Sequence, residues 1–258
     1  MTTGTTTNIL GHPTWIEDRP GPGSPVLLLH GGLSNSDSML DSIGPAINAQ
    51  HRVLAFDRRG HGRTADTDAP FHYDDMASET IAVIEDIVGG PSHLVGWSDG
   101  GIVSLLVALR RPDLVDRMVL IGANYHHEGI LPIEIPRDSP FAAQMFQDYA
   151  DRSPDGAEHF EQALGKAFTL FATEPTLDVD QLRTIAAPTL VLVGDDDLIR
   201  LDHTCSLYEA LPAGQLAVVP RTSHAVVIEQ PETCAQLIVE FLAAELPPVT
   251  IMPARRAR

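Results

Sequence analysis

Gly96-Trp97-Ser98-Asp99-Gly100 constrains this chain more than any other stretch, because a G-x-S-x-G pentapeptide stands here between two apolar runs. Ser92-His93-Leu94-Val95 precedes it, and Ile102-Val103-Ser104-Leu105-Leu106-Val107-Ala108-Leu109 follows it. That context predicts a strand, a tight turn and a helix, with the serine at the strand tip. The turn forces the serine into a strained backbone conformation, so small residues must sit two positions before and after it. Gly96 and Gly100 meet that need. The pentapeptide alone also allows a plainer role for Ser98, as a turn or N-cap serine.

A serine hydroxyl is a weak nucleophile at neutral pH and needs an imidazole base, itself oriented by a carboxylate. Both residue types follow at strand ends. Thr189-Leu190-Val191-Leu192-Val193 reads as a buried strand running into Gly194-Asp195-Asp196-Asp197, which places three carboxylates at its C-terminal end. Leu216-Ala217-Val218-Val219 reads as a second short strand, followed by Pro220-Arg221-Thr222-Ser223-His224. The chain order is therefore serine, aspartate, histidine.

Strands and helices alternate along the chain, with one interruption. Strands are expected at 26–29, 52–56, 93–95, 117–121, 189–193 and 216–219, and helices at 73–88, 100–110, 202–211 and 231–245. Alternation of this kind means an α/β, mainly parallel, doubly wound sheet with its ligand site at the carboxyl ends of the strands. Pro20-Gly21-Pro22-Gly23-Ser24-Pro25 reads as a loop, and Ala254-Arg255-Arg256-Ala257-Arg258 as a frayed tail. From about 124 to 184 strand-like runs vanish, while Met145, Phe146, Phe160, Leu164, Phe168, Leu170 and Phe171 recur at helical spacing. Residues 1–123 and 185–258 would then form one core domain, and 124–184 a helical insertion.

These residues resemble a known family. The order Ser98, Asp197, His224 is similar to that of the α/β-hydrolases, specifically their bacterial esterase, lactonase and haloperoxidase-like group. Leu29-His30-Gly31-Gly32 resembles the family's H-G oxyanion loop, and Asp57-Arg58-Arg59-Gly60-His61-Gly62-Arg63-Thr64 resembles its D-x-R-G-H-G-x-S/T signature. Ser223-His224-Ala225 with Glu229-Gln230-Pro231-Glu232 extends the match. A shorter similarity, through Gly96 to Ile102 and Gly122-Ala123-Asn124, is to the valacyclovirase or biphenyl-hydrolase-like branch, which cleaves α-amino-acid esters.

The resemblance implies an α/β-hydrolase fold with a short helical cap inserted after the sixth strand. Its G-x-x-D pattern selects Asp197 as the acid, leaving Asp195 and Asp196 as turn residues. The Asp99 amide, at a helix N-terminus, would supply one oxyanion donor, and the loop after 26–29 the other, from Gly32 or else Leu33. Leu33, Trp97, Asp99, Tyr125, Met145, Phe168 and Phe171 are the expected substrate-binding residues, with Asp99 a partner for a substrate ammonium. Packing the cap onto the body is the alternative role of the aromatics. The expected reaction is hydrolysis of a carboxylic ester or lactone through an acyl-enzyme on Ser98. The alternatives are an α-amino-acid ester hydrolase, a cofactor-free haloperoxidase or perhydrolase, a carbon–carbon bond hydrolase and a non-catalytic ligand receptor.

Composition narrows the remaining choices. The 258 residues carry 17 Lys and Arg against 35 Asp and Glu, a formal charge of −18, which disfavours nucleic acid and anionic membranes as partners. A small-molecule substrate is the expected partner, and a homodimer is compatible with the sequence. Cys205 and Cys234 fall in expected helices, so reduced thiols are the default. Residues 1–7 lack a charged and an apolar segment, which points to a cytoplasmic location. No cofactor is called for. His126-His127-Glu128 invites a metal, but neighbouring histidines are expected to diverge and no further ligand cluster follows, so none is expected. His30 and His61 are expected to be structural hydrogen-bonders.

Overall fold

The computed structural model describes residues 4–132, 136–245 and 250–253. Eight strands form one sheet: β1 (Thr5–Ile9), β2 (His12–Arg19), β3 (Val26–Leu29), β4 (Val53–Phe56), β5 (Ser92–Trp97), β6 (Val115–Ile121), β7 (Thr189–Asp196) and β8 (Gly214–Ser223). Their spatial order is β1-β2-β4-β3-β5-β6-β7-β8. From β4 to β8 every neighbouring pair is parallel, whereas β1 with β2 and β2 with β4 are antiparallel. This is the α/β-hydrolase fold.

All the expected strands are present, most of them longer at one or both ends. β3, β4 and β5 are buried along their whole length, as continuous apolar runs in a parallel sheet require. The antiparallel hairpin β1–β2 was not among the expected strands. Its first strand is a threonine run with little apolar alternation, and its turn is Leu10-Gly11, both at positive φ (51° and 87°).

Helices cover both faces. α1 (Asp37–Leu40), α2 (Gly44–Asn48), α9 (Val226–Glu229) and α10 (Pro231–Ala243) enclose one apolar core, built on Val26, Leu28, Val95, Val119 and Leu192. α3 (Tyr73–Val83) and α4 (Asp99–Arg110) enclose the other, on Leu27, Leu29, Leu94 and Leu120. Alternate residues of each strand thus feed opposite cores. The helix expected over 73–88 is α-helical only to Val83; a wider π turn, Ile84–Val88, completes it and ends on Gly89 at φ 84°.

Between β6 and β7 lie α5 (Pro140–Ala150), α6 (Phe160–Thr173) and α7 (Val179–Leu182); α8 (Leu201–Ala210) connects β7 to β8. Charged groups tie this stretch to the loops of the sheet's carboxyl edge. Arg152 Nε lies 3.0 Å from Asp37 Oδ2, and Lys166 Nζ and His159 Nε2 lie 2.7 and 2.9 Å from Asp66 Oδ2. Glu174 accepts from His72 Nδ1 and from the Tyr73 amide.

Candidate active site

Ser98 is the only residue between β5 and α4, and it takes φ 53°, ψ −116°. Such a sharp turn brings backbone onto backbone. A Cβ on Gly96 would lie 2.2 Å from the Gly100 oxygen, and one on Gly100 would lie 1.9 Å from the Leu29 oxygen. Only glycine fits at either place. The Ser98 amide donates to Ile121 O on β6 at 2.8 Å, which anchors the turn to the neighbouring strand.

Three side chains from three strand ends meet here. His224 Nε2 lies 2.9 Å from Ser98 Oγ, and His224 Nδ1 lies 2.8 Å from Asp197 Oδ1. The Asp197 carboxylate therefore accepts a hydrogen bond from Nδ1–H, which keeps the proton on Nδ1 and leaves Nε2 to accept the serine proton. Asp197 Oδ1 also accepts the Ile199 amide at 2.9 Å, while its other oxygen is buried without a hydrogen-bond partner among the described residues. Of the two neighbouring carboxylates, Asp195 binds the Thr222 amide at 3.1 Å and Asp196 is exposed.

Two further residues support this arrangement, and neither has a role that the sequence alone assigns. Gly122, at φ 55°, passes so close that a Cβ would lie 3.0 Å from His224 Nδ1 and 3.1 Å from Asp197 Oδ2. Glu229 grips the histidine loop by accepting from the Ser223 amide at 2.7 Å and its hydroxyl at 2.9 Å. Both positions lie in stretches that carry the family resemblance, but only the fold shows what they touch.

The loop after β3 faces the start of α4. A Cβ on Gly32 would lie 2.5 Å from Asp99 Oδ2 and 2.7 Å from Phe171 Cζ, so Gly32, Asp99 and Phe171 converge. Leu33, the alternative donor, has φ 53° and packs partly buried against the α3–α4 core. The Asp99 side chain, expected to pair with a ligand ammonium, is 3% exposed; its Oδ1 accepts the Tyr73 hydroxyl at 2.9 Å, and its Oδ2 lies beside Gly32. Burial pushes the Asp99 pKa up, against the opposing pull of Arg58 and of the Tyr73 hydrogen bond.

Other expected pocket residues go elsewhere. Trp97 is buried in the core beneath α10, and its indole N–H donates to the His224 carbonyl at 2.9 Å. Met145 and Phe168 line a cavity of about 550 Å³ between α5 and α6, together with Phe146, Phe160 and Leu164; no member of the triad lines it. Tyr125 stacks on His203 at 4.0 Å between ring centroids and lines a separate cavity with His126 and Arg200. Periodicity marks Met145, Phe168 and Phe171 as helical and apolar, which they are, without telling which face they occupy. Phe171 reaches the site.

His30 and His61 are buried and hydrogen-bonded, His30 to Gly31 O and His61 to Arg59 O. His126 and His127 do not diverge: their rings stack at 4.6 Å, since an extended residue is followed by a 3-10 turn. No cluster of three or more potential ligands that could hold a metal occurs among the described residues. Cys205 and Cys234 are both free thiols. Among the described residues no helix is long and apolar enough to cross a membrane.

Comparison with known proteins agrees with this fold. Residues 26–237 match the model of the Alpha/beta hydrolase family. "Putative carbamate hydrolase RutD" of Variovorax paradoxus (strain S110) is 29% identical over 249 residues, covering 87% of this chain and 93% of the relative. A 2-hydroxy-6-oxo-6-(2'-aminophenyl)hexa-2,4-dienoic acid hydrolase of Metapseudomonas resinovorans is 25% identical, covering 86% of this chain and 85% of that protein. Among solved structures, a serine hydrolase involved in carbazole degradation superposes with a TM-score of 0.77 at 23% identity, covering 93% of this chain and 98% of that one.

Proposed function

The chain belongs to the alpha/beta hydrolase family, and on that premise we propose that it is a serine hydrolase cleaving a carboxylic ester or lactone of a small, largely apolar substrate through an acyl-enzyme on Ser98. One observation carries the reading: the unbroken hydrogen-bond chain from Asp197 Oδ1 through His224 to Ser98 Oγ, with links of 2.8 and 2.9 Å. His224 takes the proton as Ser98 Oγ bonds to the carbonyl carbon, and Asp197 stabilises the imidazolium. The oxyanion falls to the amides of Asp99 and Gly32, neither of which is engaged by a backbone carbonyl among the described residues. His224 then protonates the leaving alcohol, and water activated by the same imidazole releases the acid.

The partly buried Phe171 against Gly32 supports an apolar group next to the reacting carbonyl. The burial of Asp99 and the hydrogen bond from Tyr73 to its Oδ1 weigh against an α-amino-acid ester. A carbamate is the second reading, favoured by the relatives named as carbamate hydrolases, which match 86–89% of this chain. Its carbonyl would be attacked in the same way.

Steady-state hydrolysis of p-nitrophenyl esters of graded acyl length, of simple lactones and of an aryl carbamate tests the reading, with Ser98→Ala as reference. Turnover of a short apolar ester or a lactone, abolished in S98A, is the expected result. Turnover of the carbamate alone would shift the reading to that class, and S98A activity equal to wild type would refute both.

A further inference from the structure

Arg58 is wholly buried, and its Nε and Nη1 have no hydrogen-bond partner among the described residues. A guanidinium withdrawn from water is costly unless surrounding charges and acceptors offset it. The residue occupies the variable position of the Asp57-Arg58-Arg59-Gly60-His61-Gly62 stretch, and its surroundings lead to the reacting centre.

The first link is to the oxyanion loop. Arg58 Nη2 donates to Gly31 O at 3.2 Å, and His30 Nδ1 lies 2.7 Å from the same oxygen. His30 Nε2 accepts the Arg58 backbone N–H at 3.2 Å, so Nδ1 is the protonated nitrogen and donates to Gly31 O. Burial, reinforced by the charge of Arg58, holds this imidazole neutral, its pKa well below the ordinary value. The approach of Nη2 to His30 Nδ1 is then donor beside donor, and the Arg58 proton goes to the carbonyl. In a trans peptide C=O and N–H point in opposite directions. Fixing the Gly31 oxygen on Arg58 and His30 therefore turns the Gly32 N–H away from them, and a cation on that oxygen strengthens the N–H as a donor.

The second link is to Asp99, whose carboxylate borders the same Gly31–Gly32 peptide. A negative charge there opposes a developing oxyanion. Apart from burial, Arg58 has the strongest effect on Asp99, and Asp99 on Arg58. Tyr73 and His224 are the other titratable groups acting on Asp99; Tyr73, Glu79 and Asp57 also act on Arg58.

We propose that Arg58 is a positioning residue of the oxyanion site: it holds the Gly31–Gly32 peptide with its N–H toward the substrate oxygen, and it offsets the Asp99 carboxylate beside that oxygen. The inference rests on the acyl-transfer reading above. It makes Arg58 necessary to the rate through two neighbours without contact with substrate.

The test is the rate of fluorophosphonate labelling of Ser98 against pH, from about pH 6 to about pH 10, in wild type, R58M, D99N and R58M/D99N. Wild type is expected to rise to a plateau. R58M is expected to label about tenfold more slowly and to decline again on the alkaline side, as Asp99 ionises without its counter-charge. The decline should vanish in R58M/D99N while the rate stays low. A R58M profile parallel to wild type, or a decline that persists in the double variant, would overturn the proposal. Should R58M fail to fold, R58M/D99N against D99N decides: slower labelling of the double variant supports the proposal and equal labelling overturns it. A wild type that does not label refutes the acyl-transfer reading itself, a separate failure.

Discussion

The indole Nε1 of Trp97 donates a 2.9 Å hydrogen bond to the carbonyl oxygen of His224. The residue before the nucleophile thereby holds the loop that carries the base, and the two rings stand 6.2 Å apart. The same indole packs beneath Gly31, where a Cβ would lie 3.4 Å from Trp97 Cε3. One side chain thus sets the spacing of the nucleophile turn, the histidine loop and the oxyanion loop.

Trp97→Phe keeps an aromatic plate and removes the donor. A single neutral hydrogen bond is worth about 1 kcal/mol, so kcat is expected to fall about fivefold with KM little changed. Ester hydrolysis kinetics check it; an unchanged kcat would show that the loop holds its place without the indole.

Gly122→Ala places a methyl group against both His224 and Asp197 at a backbone φ of 55°. Loss of about 1 kcal/mol of stability from the backbone alone and at least about tenfold lower kcat are expected. Thermal unfolding and ester hydrolysis read the two effects separately.

The parallel sheet was legible in the sequence because its central strands are buried on both faces and read as unbroken apolar runs, such as Val26 to Leu29 and Thr189 to Val193. The β1–β2 hairpin was not. An outer strand such as Thr5–Ile9 buries little, so its pattern is set by β-branched residues and by the Leu10-Gly11 turn, a weaker signal than hydrophobic repetition.

Acid is expected to weaken the fold through buried histidines. Burial holds His93 and His203 down to about 4, and His61 to about 3, with Arg58 adding to the effect on His61 and His126 to that on His203. His93 faces the His51 ring at 5.7 Å, with Asp116 and Arg117 also acting on it. Unfolded, each histidine titrates near about 6.5. The unfolded state therefore binds more protons between that value and the folded one, and stability falls as pH drops from about 6.5 toward about 4. Urea unfolding across this window should show the decline, and His93→Gln should reduce its slope by about one proton. An identical slope in the variant would remove His93 from the account.

Asp66 fastens the helical stretch between β6 and β7, its carboxylate 1% exposed and within 2.9 Å of both Lys166 and His159. Asp66→Asn leaves the Lys166 ammonium, 13% exposed, without its counter-charge. A loss of about 2 kcal/mol, or about 5 °C in Tm, is expected, and Lys166→Met added to it should recover part of the loss. Differential scanning calorimetry of the two variants measures this.

For the site, the sequence located what chain order and local turn chemistry govern. Ser98, His224 and the run Asp195-Asp196-Asp197 could all be named, because each ends or follows a strand. What it could not supply was direction. Asp99 divides its carboxylate between the Tyr73 hydroxyl, 26 positions away in sequence, and the space beside Gly32, a division that its place after the serine does not reveal. Met145 and Phe168 had the right chemistry and line another cavity, since helical periodicity defines a face without defining what that face meets.

Intact-mass analysis after fluorophosphonate treatment tests the central claim most directly, with wild type and Ser98→Ala both verified as folded by circular dichroism. One adduct on wild type, located on Ser98, and none on the variant is the predicted result. No adduct on folded wild type, or an equal adduct on S98A, would contradict the assignment of Ser98 as the nucleophile.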